Sequence, residues 1–161
     1  MNADASMRKT LLSSLEEGGA HLGFAAAVKD FPAGLRGRRV PGVPHTAWHL
    51  VYHLWIAQAD ILDYIRVPGH VSPAYPSGYW PTEDEPAESR EWERKVQAFG
   101  RDLEALCALV RVPGEDLFRP RPEGGEGFLA RSALLTIDHN SYHLGQLVDL
   151  RELLGVPVRD W

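Results

Sequence analysis

The chain has 161 residues, 44% of them hydrophobic and 24% charged, with a formal net charge of −5. That make-up fits one globular domain over residues 1–161, long enough to bury roughly two-thirds of its unfolded surface. It excludes a duplex-binding role, which needs a basic face to displace counterions, and the only basic concentration is the short stretch from Arg36 to Arg39.

The N-terminus from Met1 to Lys9 lacks an apolar segment of the signal-peptide kind. No apolar run reaches the roughly 18 residues of a membrane span. A cytoplasmic protein with neither membrane nor nucleic acid as partner is expected. Residues 7–30 predict a first helix, with an apolar stripe of Leu11, Leu12, Leu15, Leu22, Ala25, Ala26 and Val28 weakened by Gly18 and Gly19. Phe31-Pro32 ends it, because a residue before proline is pushed out of the α region. His21 stands alone on this helix and reads as a surface or hydrogen-bonded core side chain. Residues 32–44, rich in glycine and proline, form a connector.

A second helix starts near His45 and Thr46, with Thr46 as N-cap, and runs to Arg66 before Val67-Pro68-Gly69 stops it. Its apolar residues cover a wide arc, so it packs on more than one side. Residues 67–87 carry five prolines interleaved with Tyr75, Tyr79 and Trp80. So long a connection is a lid, a binding loop or disordered, and the aromatics favour an ordered loop. Those three side chains either line the mouth of a site or simply pack onto the bundle, the plainer reading.

Residues 88–111 predict a third helix whose Trp92, Val96, Phe99, Leu103, Leu106 and Val110 follow alternating steps of four and three, the seam of a bundle helix. Cys107 rides on it. A lone cysteine excludes an internal disulfide and fits a reducing compartment, and its apolar position marks a small buried hydrophobe rather than a nucleophile. A second loop, 113–127, leads to a fourth helix over 128–154 that stops at Gly155 with Pro157 behind it. Four amphipathic helices, two long loops and no alternating strand pattern give an all-α fold, a four-helix bundle. On helix four, Leu144, Leu147 and Val148 lie away from the histidine side, a surplus that suggests a partner surface and a homodimer.

The chemistry concentrates in histidine. His139 and His143, four apart, share one helical face about 5–6 Å apart at Cβ and can converge on one ion. Leu135, Leu150 and Leu153 fall within about 40° of His139 on the helical wheel, which turns the pair inward. A buried imidazole needs a partner, and a metal ion supplies one. Seven histidines in 161 residues give roughly 0.3 such spacings by chance, so a third ligand from another helix is required.

Helix two offers His45, His49 and His53. One of them joins the pair, or they bind a metal among themselves, or they bind nothing. With His53 at 0°, Tyr64 falls at about 20°, Ala57 at about 40° and Leu50 at about 60°. His53 therefore sits in the apolar stripe, His49 at its edge and His45 on a polar flank. His53 is the best inward candidate and His49 the next.

The stretch Pro44-His45-Thr46-Ala47-Trp48-His49-Leu50-Val51-Tyr52-His53, continued through Gln58, Asp60 and Asp63, resembles the second helix of the DinB-like family. Asp138-His139-Asn140-Ser141-Tyr142-His143-Leu144-Gly145-Gln146, followed by Leu150, Arg151 and Leu153-Leu154-Gly155, resembles that family's closing helix. Ser72 to Pro81 is similar to the loop of one branch. The resemblance implies a four-helix bundle, usually dimeric, with one divalent metal on three histidines, matched here by His53, His139 and His143. His49 stands where other members tend to have Gln or Glu and is not carried over. Members with known activity include thiol-dependent S-transferases and isomerases using bacillithiol or mycothiol, and the family's name implies no DNA-binding surface in this chain.

Three neutral imidazoles leave an ion its full charge and an open position, able to make bound water or a thiol nucleophilic near neutral pH. Zinc or nickel is expected, then iron or manganese, with a low-molecular-weight thiol as co-substrate and a small molecule as substrate. Asp60, Asp138 and Gln146 are candidates to orient the ligands, although Asp60 lies two turns from His53, roughly 10 Å along the axis. Gln146 is placed to bond a bound water or substrate. The reading is a metal-dependent enzyme, S-transfer before hydrolysis; its rival is a non-catalytic, stress-associated metal-binding dimer.

Overall fold

The computed structural model describes residues 2–17, 20–120 and 127–158. Five helices follow one another: α1 (Ala3–Glu17), α2 (Phe24–Val28), α3 (Ala47–Arg66), α4 (Ser89–Arg111) and α5 (Leu129–Leu153), with single 3-10 turns at Ala33–Leu35 and Ser77–Tyr79. No strand occurs among the described residues. The four long helices form the bundle, α3 lying against both α4 and α5 and α1 closing the other side of the α4–α5 pair.

The helix expected over 7–30 is two helices. α1 stops at Glu17 and α2 starts at Phe24. Gly18 and Gly19 lie outside the described residues, but glycine's poor helix propensity accounts for a stop just before them. Gly23, extended at φ −73° and ψ 162°, is the N-cap of α2. His21, in the break, donates from Nδ1 to the Leu22 carbonyl at 2.9 Å and places Nε2 2.7 Å from the Ser141 hydroxyl on α5. It is a hydrogen-bonded structural histidine, as read.

The other helix ends follow local chemistry. Thr46 caps α3 by accepting from the His49 N–H at 3.2 Å, while His49 Nδ1 accepts from the Thr46 N–H at 3.4 Å. This is a capping box with histidine in the place usually held by Glu or Gln. α5 closes in a Schellman motif: Val156 N–H reaches the Arg151 carbonyl and Gly155 N–H the Glu152 carbonyl, both at 3.0 Å. Gly155 stands at φ 74°, a left-handed conformation that glycine adopts without a Cβ penalty.

The core has two parts. One gathers Phe24, Phe31, Trp48, Leu50, Leu54, Trp92, Phe99 and Leu147, with Phe24 and Phe99 stacked at 3.8 Å between ring centres. The other gathers Leu11, Leu15, Leu62, Leu106, Val110, Leu117 and Leu129. Cys107 is buried in the second, and burial pushes its thiol up to about 11, as expected of a small core hydrophobe.

Leu144, Leu147 and Val148, expected on a partner surface, are buried in the first cluster of the same chain. The interrupted first helix explains the difference, because α2 doubles back onto α5 and covers that face. Near the middle of the bundle a polar link crosses the core. Gln58 Nε2 donates to the Phe99 carbonyl at 2.7 Å, and Asn140 Nδ2 donates to Gln58 Oε1 at 3.0 Å. One side chain thus fixes the register of α3 against both α4 and α5. Gln58→Ala should cost about 2–4 kcal/mol, since it opens a cavity and leaves the Asn140 amide without its acceptor. Denaturant unfolding would measure it, and a loss under about 1 kcal/mol would show the link to be dispensable.

Candidate metal centre

The bundle brings His53 of α3 together with His139 and His143 of α5. Each offers one ring nitrogen, and these atoms all lie within 4.8 Å of one another. His53 and His143 are buried and His139 half-buried. The two α5 histidines do not point to the middle of the core. Leu150 beside them is 1% exposed, but Leu135 and Leu153 are 43% and 60% exposed. The histidine stripe therefore runs along the seam between the buried and open halves of α5, and that seam gives onto a cleft.

The hydrogen bonds assign the protons. His53 Nδ1 donates to the Tyr79 carbonyl at 3.1 Å, and His143 Nδ1 donates to Gln146 Oε1 at 2.7 Å. Both rings therefore carry bare Nε2 lone pairs toward the common point. His139 Nε2 lies 3.0 Å from His53 Nε2, a distance that requires a proton on the His139 side. His139 Nδ1 is then a lone pair, and it is buried without a hydrogen-bond partner, as is Asn140 Oδ1.

An ion at the common point fits this donor set. It would replace the proton between His139 and His53 and shift that proton to His139 Nδ1, whose neighbour Asn140 raises its affinity for one. Tetrahedral ligands at roughly 2.0–2.1 Å need nitrogens about 3.3 Å apart, close to the observed 3.0 Å spacing of the first pair. Burial lowers the pKa of all three rings from 6.5, that of His53 and of His143 to about 4, so the lone pairs are free at neutral pH.

The outer wall is the loop between α3 and α4. Trp80 lies parallel to the His53 ring at 3.8 Å and to the His45 ring at 4.1 Å between centres. Tyr75, Tyr79, Trp80, Leu135 and Tyr142 line, with the three histidines and Asp60, a cleft of about 450 Å³. Both expectations for the loop aromatics hold in part: Trp80 packs against the core, and all three line the mouth of the cleft.

His49, second candidate for the third ligand, faces elsewhere. Its Nδ1 belongs to the α3 cap, and its Nε2 donates to the Glu83 carbonyl at 3.1 Å, tethering the far end of the loop. Thr46 and Arg39 anchor the same end, through the Asp84 carbonyl and carboxylate respectively. Asp60 is too far for the common point, as its spacing implies, but it is occupied: it accepts from His70 Nε2 and from the Tyr79 hydroxyl, each at 2.7 Å. Burial, with Asp60 behind it, pushes the Tyr79 phenol up to about 12, so it stays a donor. Gln146, a candidate both to orient the ligands and to bond water or substrate, orients His143. Asp138 is exposed, and its charge acts on the adjacent His139 ring, favouring the protonated form.

Sequence reasoning had no means of finding the Tyr79 carbonyl, since a backbone acceptor leaves no residue-type signal. The role of His49 was within reach, because Thr46-x-x-His49 has the spacing of a capping box.

Compared with protein families, residues 23–147 match the DinB superfamily. The chain belongs to the DinB superfamily. Comparison with curated proteins and with solved structures gives no match. The matched DinB segment runs from the N-cap of α2 to the last turns of α5 and includes all three histidines and the loop. Among the described residues of this DinB chain, no helix is long and apolar enough to cross a membrane.

The depressed histidines set a pH response. An unfolded chain binds protons on these rings around 6.5, the folded chain only near 4, so the unfolded state takes up more protons between those values. The metal-free protein should be equally stable above pH 6.5 and should lose melting temperature as pH falls through 6.5 toward 4. A His53→Gln/His143→Gln double variant should lose much of that slope; an unchanged slope would place the titration elsewhere.

Proposed function

We propose that the chain is a metal-dependent enzyme that transfers a thiol sulfur to a small electrophile, with hydrolysis as the second reaction in rank. Its divalent ion is held by His53, His139 and His143, zinc or nickel first, then iron or manganese. The observation that carries this reading is the convergence of three neutral imidazoles at the floor of an aromatic cleft. When bound, such an ion keeps its full charge and an open position, supplying the Lewis acidity that makes a thiol or water nucleophilic near neutral pH.

The chain's own side chains supply the rest. At about 450 Å³ the cleft is of small-molecule size. Trp80 covers the ring face of His53 and keeps water from it. Leu135, Tyr142 and Ile61 offer apolar wall to the carbon body of an electrophile, and exposed Tyr75 stands at the rim. Purified protein reloaded with zinc or nickel should turn over a model electrophile with a low-molecular-weight thiol, and His143→Ala should lower kcat/KM by about 100-fold or more. Equal behaviour of the two proteins across a broad panel of thiols and electrophiles would end the enzymatic reading. It would leave the ion to a non-catalytic role, tying α3 to α5.

A homodimer belongs to the same proposal, on a different face from the one first considered. Leu134, Leu135, Tyr142 and Leu153 are exposed within an arc of about 100° on α5, which they share with Gly145 and the exposed Arg131, Asp138, Asp149 and Glu152. A patch of that kind favours a self-complementary helix contact. Sedimentation should give a dimer for the native chain and a monomer for Leu134→Arg; a native monomer at micromolar concentration would contradict it.

A further inference from the structure

We infer that Asp60 is a positioning residue for the metal centre, acting on His53 through the two ends of Tyr79. The inference rests on the proposed metal site and deepens it. Asp60 and His53 lie on one face of α3 two turns apart, roughly 10 Å along the axis, so the carboxylate cannot touch the ring. Tyr79 spans the gap. Its hydroxyl donates to Asp60 Oδ2 at 2.7 Å, and its carbonyl accepts from His53 Nδ1 at 3.1 Å.

The arrangement is fixed at both ends and in the middle. Asp60 is held from the other side by His70 Nε2 at 2.7 Å, and both side chains are largely buried. A buried carboxylate with two donors is strongly localised, because charge-assisted hydrogen bonds are short and directional. Between the two ends, the backbone of Tyr79 lies in a tight turn in which Gly78 N–H reaches the Ala74 carbonyl and Tyr79 N–H the Pro76 carbonyl. The turn is packed hard: a Cβ on Gly78 would stand 2.6 Å from Pro73 Cβ. The hydroxyl's bond to Asp60, with Ser72 as a second partner, is one of the contacts that seat this turn against α3, so its loss should loosen the seating of the Tyr79 carbonyl on His53.

The consequence is specific to one ligand. His143 is oriented from its own helix by Gln146, whereas His53 depends on a loop, and the loop depends on Asp60. Without the Tyr79 carbonyl, His53 can rotate or carry its proton on Nε2, and the third lone pair is lost. Groups that orient metal-bound histidines typically contribute about 10–100-fold in metal affinity.

The test compares cobalt(II) affinity, by competition with a chromophoric chelator, and the cobalt ligand-field spectrum in five proteins: the native chain, Tyr79→Phe, Asp60→Ala, Arg39→Ala and His143→Ala. Tyr79→Phe and Asp60→Ala should each bind about tenfold or more weakly with an altered spectrum. Arg39→Ala, which cuts the distant Asp84 anchor of the same loop, should bind as the native chain does. Native affinity in Tyr79→Phe, with only a lower melting temperature, would reduce Asp60 to loop packing and overturn the inference. Should Asp60→Ala fail to fold, Tyr79→Phe decides, since it removes one hydroxyl and keeps the ring. A native chain that binds cobalt no better than His143→Ala overturns the metal site itself, and this inference with it, which separates the two failures.

Discussion

Three imidazoles whose lone pairs face one another in a partly dry crevice are the constraint from which the rest of this structure follows. Protonation would relieve the crowding of lone pairs, but burial prevents it, holding His53 and His143 near 4. Desolvation outweighs the hydrogen bonds that favour the charged rings. The metal-free site has a single proton to offer between His139 and His53, and accepting it there leaves His139 Nδ1 buried and unpaired. An ion held by the three rings would remove that conflict, since it would take the lone pairs now facing one another and leave the proton to His139 Nδ1.

The two sides of the site are supported differently. On α5, spacing does the work: His139, His143 and Gln146 follow one another at steps of four and three, so a single helix presents two rings and the group that orients one of them. On α3 only His53 is supplied, and its orientation comes from outside the helix, from the loop that carries Tyr79 and Trp80. Below both, the Gln58–Asn140 link sets how far α3 and α5 can slide past each other. Asn140 is next in sequence to His139, so the register that satisfies the core amide also places the ligand.

Much of this was legible in the sequence. The bundle, the limits of α3 to α5 and the His139–His143 pair follow from periodicity, caps and spacing, which are local properties; the helical wheel ranks His53 ahead of His49 as third ligand, and the family resemblance implies the full set. What stayed hidden depends on contacts between distant segments or on backbone atoms. The return of α2 onto α5 turned Leu144, Leu147 and Val148 from a supposed outer face into core, and helical periodicity alone cannot say which of two neighbours covers a face. The inward direction assigned to His139 was half right for the same reason: Leu150 is buried while Leu135 and Leu153 are open, so the stripe marks an edge. Asp60 was correctly judged too distant for the ion, but the tyrosine that bridges the distance lies 19 positions along the chain, in a loop without periodicity to place it.

X-ray absorption on the zinc- or nickel-loaded protein tests the central claim most directly, because it counts ligands at the ion itself. The account predicts one ion per chain with three imidazole nitrogens at roughly 2.0–2.1 Å and at least one further light-atom ligand from solvent. An ion surrounded mainly by oxygens, with fewer than three imidazoles, would contradict it.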